Sequence, residues 1–328
     1  MTDTSPTSPD ELTRRARAAA VAFAQWSAQP PRSRARALVA AALNFSGSNF
    51  PFAFSVAGGD TASALAAGYS VIVKAHSGHP QLSLRTGQVV AAALEGAGAP
   101  ANTLQVIFGQ EQGVEMLKNV HVRAGSFTGS IHAGRLLADI AAARPDPIPF
   151  YGELGSVNPQ FVTRAKLEQD FATVCEGYVA SVSSSAGQFC TKPGFLFVSD
   201  ASVVAEPIRA AAEEVAEHRM LNARIAQSYR ERRDTVLATE GVQVIAPGAV
   251  RFDDDGQGWV TPTIVSASAA VLESSGARLR DESFGPLSVV VQYDEESQLA
   301  DLARRLFPGN LTGRAPFAST SRRPNWSR

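Results

Sequence analysis

A chain of 328 residues, 45% of them hydrophobic, is long enough for about two domains and a sizeable buried core. Lys and Arg (30) nearly balance Asp and Glu (31), and the net charge of −1 gives no electrostatic reason to expect nucleic acid or a membrane surface as partner. Two cysteines form at most one disulfide, which excludes a disulfide scaffold and favours a reducing compartment.

The N-terminal segment is a polar, Pro/Ser/Thr-rich leader followed by a helical pattern. It has no apolar core of the kind found in secretory signals, and Asp10 and Glu11 argue against a transit peptide. The longest weakly polar stretch, residues 55–73, is broken by two glycines and Asp60, so we expect no membrane span. These features predict a cytoplasmic protein.

Strands and helices alternate through the first half of the chain. Helical spacing of Leu12, Ala16, Ala19, Phe23 and Trp26 predicts the first helix. The elements predicted after it are a short helix over residues 31–43, a small-residue helix ending at Gly68, the strand SVIVKA, a helix over residues 80–98, and the strands TLQVIFG and VHVRAGSFTGS. This alternation predicts a mostly parallel α/β sheet.

The second half continues the pattern without an internal repeat. It predicts a helix from about Leu167 to Ser181, the strand GFLFVSD, an amphipathic region from Ala205 to Glu240, and the strands TPTIVSA and LSVVVQY. The last 18 residues have no periodicity and four arginines, a composition that favours a solvated tail over a basic recognition segment.

The two cysteines occupy different settings. Cys190 lies in GQFCTKPG, where Gly187 and Gly194 allow tight backbone turns and Lys192 is a nearby cation in sequence. A thiol is a good nucleophile only as thiolate, which such donors and cations favour. On residue type alone Cys190 could equally be a small buried hydrophobe. Cys175 belongs to an apolar helical stripe and is predicted to be core.

Three further segments carry polar groups that chemistry could use. Glu153, in YGELGSVNP, is placed where a strand would end and a loop begin, although an ordinary surface glutamate has the same appearance. Asn49, in GSNFPF, is either a turn former or an amide donor to a developing oxyanion. Gly129 and Ser130 lie between a predicted strand and a helix, where exposed backbone N–H groups bind phosphate.

The sequence gives little support to three other classes of site. His76 and His79 lack a third ligand in reach, and the proline that follows disfavours a helix holding both, so we expect no metal. No G-x-S-x-G or P-loop pattern is present, which removes the basis for a serine hydrolase or a nucleoside triphosphatase.

Six segments in chain order resemble motifs of the aldehyde dehydrogenase superfamily: SNFPF, VIVKAHSGHP, FTGS, ELGSVNP, GQFCTKPG and ESFGP. The resemblance covers about residues 48–310 and is strongest to the 2,5-dioxovalerate (α-ketoglutaric semialdehyde) dehydrogenase branch. It implies an α/β fold with a Rossmann-type NAD(P)-binding domain over residues 46–154 and a catalytic domain over residues 155–310. Residues 1–45 would form the leader and N-terminal helices, and residues 311–328 an irregular tail.

The resemblance also implies roles for single residues. Cys190 matches the nucleophile that attacks the aldehyde to give a thiohemiacetal and then a thioester, and Asn49 matches the side-chain donor to the oxyanion. Glu153 matches the base that activates water for thioester hydrolysis. Relatives that pass the acyl group to coenzyme A typically lack this glutamate, so the implied product is a free carboxylic acid. The implied substrate is a small semialdehyde.

The resemblance places the cofactor on both predicted domains. Lys74 matches the contact with the adenosine ribose, and Glu282 and Phe284 match residues that position the nicotinamide ribose and ring. An acidic residue after the strand ending at Val73 would bind a ribose 2′-hydroxyl and repel a 2′-phosphate. This chain has the donors Lys74, His76 and Ser77 there instead, which favours NADP over NAD.

The chain departs from the family in two places. The family normally has a long block between the helix ending near Ala42 and SGSNFPF, and it continues after GNLT with the strand that pairs with a partner subunit. We therefore expect an internally deleted, C-terminally truncated member, with both domains incomplete and the segments that make the family homo-oligomeric missing. Two hypotheses follow: an active dehydrogenase, or a non-catalytic or unstable remnant that at most binds a nucleotide or a partner.

Overall fold

The computed structural model describes residues 3–43, 59–307 and 313 of the chain. The chain divides into two compact units, Met1–Leu154 and Gly155–Arg328. Within the described ranges, no helix is both long and apolar enough to cross a membrane.

The first unit contains two pairs of parallel strands and six described helices. The helices are α1 (Pro9–Ser27), α2 (Pro31–Leu43), α3 (Thr61–Ala67), α4 (Pro80–Gly96), α5 (Gln110–Lys118) and α6 (Ile131–Ala142). The strands are β1 (Val71–Lys74), β2 (Leu104–Ile107), β3 (Gly125–Gly129) and β4 (Phe150–Leu154), with β1 paired to β2 and β3 paired to β4. Because both pairs are parallel, the carboxyl ends of the two strands in each pair lie at the same edge.

Local sequence signals explain where these helices begin and end. The Ser8 hydroxyl caps α1 by accepting the Glu11 backbone N–H at 3.3 Å, and a proline fills the first helical position. Gly68, with φ at 97°, ends α3 as predicted. Trp26 fixes α1 to α3, since it is fully buried and its Nε1 donates to the Leu65 carbonyl at 2.9 Å. Phe23, one of the residues whose helical spacing predicted α1, is exposed.

The second unit is built on a five-stranded sheet. Its strands are β5 (Pro159–Phe161), β6 (Phe195–Val198), β8 (Gln243–Ala246), β11 (Thr263–Ser268) and β12 (Leu287–Gln292), in the order β5-β6-β12-β11-β8. All neighbours are parallel except β8, which is antiparallel to β11. A separate small antiparallel sheet is formed by β7 (His218–Arg219), β9 (Val250–Phe252) and β10 (Gly258–Val260). The mostly parallel α/β prediction is confirmed.

Helices cover both faces of the five-stranded sheet. They are α7 (Arg164–Gln169), α8 (Phe171–Ser183), α9 (Ala201–Glu213), α10 (Ala223–Leu237), α11 (Ala269–Ser274), α12 (Ala277–Arg280) and α13 (Leu299–Leu306). Strand β6 shows why its sequence is a continuous apolar run. Phe195 and Phe197 belong to one core cluster while Leu196 and Val198 belong to the other, so neither face of the strand meets water.

Some predicted elements differ from the structure. The helix expected from Leu167 to Ser181 is two helices, because Asp170 has non-helical backbone angles (φ −132°, ψ 39°) between α7 and α8. The predicted strand VHVRAGSFTGS is paired only over Gly125–Gly129. Helix α5 was not predicted, since its sequence QEQGVEMLK is mostly polar and contains a glycine.

Candidate active site

Three of the motif segments in the second unit meet at one edge of the five-stranded sheet. Residues 155–158 lead into β5, residues 184–194 lead into β6, and residues 281–286 lead into β12. Because β5, β6 and β12 are adjacent and parallel, these segments enter the sheet side by side at its amino edge. We call residues 184–194 the cysteine loop and residues 281–286 the SFGP loop.

The cysteine loop has an unusual backbone. Ser185, Ala186 and Gly187 are consecutive left-handed residues, with φ values of 50°, 54° and 63°. Such conformations cost of order 1–3 kcal/mol at each non-glycine residue and persist only where the surroundings enforce them. A Cβ on Gly187 would also clash with the backbone of Gly285, so glycine here lets the cysteine loop and the SFGP loop approach closely.

The two thiols are in opposite environments. Cys190 is exposed at the turn of the cysteine loop. Cys175 is 1% exposed on α8 and packs in a core cluster with Tyr178 and Val179. Burial raises the pKa of the Cys175 thiol to about 11, and the nearby Glu176 carboxylate adds to this shift. The prediction that Cys175 is core is confirmed, and Cys190 is the accessible thiol.

Lys192 differs from its expected place as a cation beside the thiol. The side chain is buried, and its Nζ donates to the Leu287 carbonyl at 2.6 Å at the start of β12. Burial lowers the pKa of Lys192 to about 8, while the negative charge of Glu282 opposes the shift and the positive charge of Arg232 adds to it. Lys192 therefore stabilises the connection between the cysteine loop and β12.

The depressed pKa of Lys192 predicts a pH-dependent stability. From about pH 8 up to the ordinary lysine value near 10.5, the unfolded chain keeps the Lys192 proton while the folded chain releases it. The free energy of unfolding should therefore rise with pH in this window, by about 1–3 kcal/mol more in the wild type than in a Lys192→Met variant. Urea denaturation from pH 7.5 to 10 measures the difference. For Lys118→Met, at an exposed lysine, the free energy of unfolding should change with pH as it does in the wild type. The same pH dependence in Lys192→Met would contradict the lowered pKa of Lys192.

Glu282 and Phe284 are both half-buried in the SFGP loop. Burial raises the pKa of Glu282, while the Lys192 charge and a hydrogen bond from the Ser156 backbone N–H lower it. This carboxylate is therefore linked to the segment before β5 and to the cysteine loop.

Arg232 on α10 is a residue that the sequence analysis missed. Its guanidinium donates to the carbonyls of Arg278 (2.6 Å) and Asp281 (2.8 Å) and to the Ser283 hydroxyl (3.1 Å). Arg232 therefore holds the backbone before Glu282 and the side chain of the residue after it. In sequence, Arg232 is one of several charges in the run RERRD on an amphipathic helix, and nothing in that run distinguishes it from its neighbours.

Lys74, the predicted adenosine-ribose contact, and the predicted donors His76 and Ser77 lie at the end of β1 and just after it. Lys74 is the last residue of β1, and its stem lies against Gly113 of α5. Burial lowers the pKa of Lys74. Burial, followed by the charges of Lys74 and His79, lowers the pKa of His76, and the His76 Nδ1 accepts the Gly78 N–H at 3.0 Å. The lowered pKa keeps His76 mainly neutral at pH 7, so Lys74 rather than His76 supplies positive charge beside the exposed Ser77.

The predicted phosphate-binding residues lie where the sequence placed them. Gly129 ends β3, and Ser130 is the N-cap of α6, its hydroxyl accepting the Ala133 N–H at 3.3 Å. The positive end of a 12-residue helix is therefore directed to the carboxyl end of a parallel strand. A side chain at Gly134 would clash with Leu154, so this glycine allows α6 to pack on β4.

Glu153 and Asn49 complete the predicted set. Glu153 is exposed and lies in register with Thr128, one residue before β4 ends, so it belongs to the strand rather than to the loop. Asn49 lies outside the described residues. Over residues 3–43, 59–307 and 313, no group of three or more His, Cys, Asp or Glu side chains could hold a metal ion.

Solved structures identify the class of fold. The chain superposes on a 1-pyrroline-5-carboxylate dehydrogenase from Thermus, solved with bound NAD, with a TM-score of 0.78 and 18% identity over 96% of this chain and 75% of that one. It also superposes on an NAD-dependent benzaldehyde dehydrogenase from Corynebacterium glutamicum, with a TM-score of 0.70 and 21% identity over 90% and 78% of the two chains. The predicted fold, an incomplete aldehyde dehydrogenase α/β fold, is confirmed.

Sequence comparison then gives the family. The model of the aldehyde dehydrogenase family matches residues 42–306. The chain is 37% identical over 276 residues to an alpha-ketoglutaric semialdehyde dehydrogenase of Acinetobacter baylyi, and 37% identical over 273 residues to alpha-ketoglutaric semialdehyde dehydrogenase 2 of Azospirillum brasilense. Each match covers 82% of this chain and 51% of the relative. The chain belongs to the aldehyde dehydrogenase family, and it spans about half the length of these curated relatives.

Proposed function

We propose that the protein oxidises a small semialdehyde, such as 2,5-dioxovalerate, to the carboxylic acid with NADP or NAD as the electron acceptor. The observation that carries the proposal is the exposed Cys190 on a strained loop at the amino edge of the sheet, beside the SFGP loop. Family membership supports an oxidoreductase, and the two semialdehyde dehydrogenases at 37% identity support the substrate class. We place this activity in the cytoplasm.

Each unit, taken by itself, carries residues that suit one part of a nicotinamide dinucleotide. Lys74 would contact the adenosine ribose, with His76 and Ser77 as further donors beside it, and the helix N-terminus after Gly129 and Ser130 would hold the pyrophosphate. Glu282 would bind the nicotinamide ribose, and Phe284 would lie against the ring. Segment 74–79 contains no carboxylate to repel a 2′-phosphate, which supports NADP as the preferred cofactor.

Cys190 and Asn49 carry the first half of the proposed chemistry. The Cys190 thiolate adds to the aldehyde carbon, and the Asn49 amide with the Cys190 backbone N–H stabilises the oxyanion that forms on the former carbonyl oxygen. The nicotinamide supplies the acceptor for the hydride that leaves this carbon. What remains on Cys190 is a thioester.

Glu153 carries the second half. Its carboxylate takes a proton from a water molecule as the water oxygen adds to the thioester carbon. The carbon–sulfur bond then breaks, Cys190 leaves as thiolate, and the carboxylic acid is released.

A thermal melt with nucleotide tests the cofactor part of the proposal. NADP at about 100 times its dissociation constant should stabilise the folded chain by roughly 2.7 kcal/mol and raise the melting temperature visibly. NAD should produce a smaller shift at the same concentration, because Lys74 has no phosphate to pair with. A cooperative transition whose melting temperature neither nucleotide changes would contradict a cofactor site on this chain and favour the alternative of a non-catalytic remnant.

A further inference from the structure

Asn158 joins two of the three segments at the amino edge of the five-stranded sheet. It lies two residues after Ser156 and is 3% exposed. Its side-chain Nδ2 donates to the carbonyl of Cys190 at 2.7 Å and to the carbonyl of Lys192 at 3.0 Å. One amide group therefore holds the backbone on both sides of Thr191, immediately after the thiol.

Two further features fix the orientation of this amide. The Ser156 hydroxyl donates to the Asn158 Oδ1 at 2.6 Å, which leaves both Nδ2 hydrogens for the two carbonyls. The Asn158 backbone is left-handed, with φ at 43°, a conformation that asparagine tolerates better than most residues. Backbone and side chain thus both favour asparagine at this position.

The cysteine loop needs support from outside because its own backbone is strained. Ser185 and Ala186 have left-handed angles just before Cys190, and such residues tend to relax unless their surroundings hold them. Gln188 restrains the loop before the thiol, since its Oε1 accepts the Leu221 N–H at 2.9 Å. We propose that Asn158 is the positioning residue that restrains the loop after the thiol and so holds Cys190 in its reactive geometry.

The kinetic consequence of this inference rests on the proposed function. Loss of the two hydrogen bonds should let the Cys190 backbone shift, and a misplacement of about 1 Å near a reacting atom can cost about 10²-fold in rate. We therefore expect kcat to fall about 10- to 100-fold in Asn158 variants. KM for the aldehyde and the stabilisation by NADP should stay close to wild type, because Asn158 is buried behind the loop.

Two variants separate the amide from the backbone conformation. Asn158→Asp keeps the shape and the tolerance for positive φ but replaces the donor with an oxygen that repels both carbonyls. Asn158→Gly favours the left-handed backbone and removes the side chain. Asn102→Asp is the matched control, because Asn102 has the same backbone class (φ 66°) in an exposed turn of the first unit.

Amide hydrogen exchange on the full chain tests the inference without requiring turnover. Both Asn158 variants should exchange at least about tenfold faster at the hydrogen-bonded amides of Lys192 and Gly194, with the core strands β6 and β12 unchanged. Unchanged loop exchange, or a loss of folding in both variants, would overturn the positioning role. If the wild-type protein oxidises no semialdehyde, the proposed function is wrong, and the hydrogen-exchange result alone then tests the positioning role of Asn158. Normal kcat in both variants beside an active wild type would overturn it.

Discussion

Replacing Cys190 with alanine is expected to lower aldehyde-dependent reduction of NADP by at least about 10³-fold, because no thioester can form without the thiol. The side chain is exposed on a loop, so its loss should change the free energy of unfolding by no more than about 0.5 kcal/mol. The increase in absorbance of NADPH, followed with 2,5-dioxovalerate and with other small aldehydes, measures the activity. A thermal melt of the same sample confirms that the variant is folded.

Cys175→Ala is the matched control for this variant. Cys175 is buried on α8, so its truncation should cost about 1–2 kcal/mol of stability and leave turnover near wild type. The pair of variants therefore predicts opposite results: Cys190→Ala is folded and inactive, and Cys175→Ala is less stable and active. NADP reduction that survives in Cys190→Ala would remove Cys190 as the nucleophile.

The sequence predicted the elements whose pattern is local. β6 is recognisable because a strand buried on both faces is a continuous apolar run. The end of α3 is recognisable because glycine adopts the positive φ of a helix C-cap more readily than other residues do. The small sheet of β7, β9 and β10 has strands of two or three residues. These strands form because they pair with one another, and not because their residues have a strong β-propensity. Segments of this length carry no periodicity for sequence reasoning to detect.

The sequence likewise predicted only part of the candidate site. The motif segments were found from their order in the chain, and the structure brings three of them to one edge of one sheet. Residues that act through distant backbone groups were missed. Asn158 contacts carbonyls 32 and 34 residues away, and Arg232 contacts carbonyls 46 and 49 residues away. Asn158 lies in the motif segment ELGSVNP and Arg232 in the charged run RERRD, but neither segment shows which carbonyls the side chain contacts, because such partners are set by tertiary packing.

Lys192 shows how sequence proximity can mislead. It is two residues from Cys190, but its ammonium group lies on the carbonyl of Leu287, 95 residues further along the chain. Spacing in the sequence does not determine which way a loop side chain points, and the Lys192 side chain is buried. The segment is therefore positioned by buried polar contacts of Lys192 and Asn158, while Cys190 between them faces solvent.

Glu153→Gln is expected to separate the two halves of the proposed reaction. Glutamine keeps the size of the side chain but cannot take a proton from water, so the thioester should form at a normal rate and hydrolyse slowly. Rapid mixing with aldehyde and NADP should give a stoichiometric burst of NADPH, followed by a steady rate about 10²- to 10⁴-fold below wild type. Mass spectrometry of the quenched protein should show the acyl group on the peptide that contains Cys190.

The control for this variant is Glu214→Gln, at an exposed glutamate on the C-terminal side of α9, which should leave both burst and steady rate unchanged. Three results of the Glu153→Gln experiment distinguish the roles. A burst followed by a stall supports Glu153 as the base for hydrolysis. An unchanged steady rate removes Glu153 from the mechanism. Loss of the burst itself places the Glu153 carboxylate before thioester formation, where its chemistry would be to take the proton from the Cys190 thiol rather than from water.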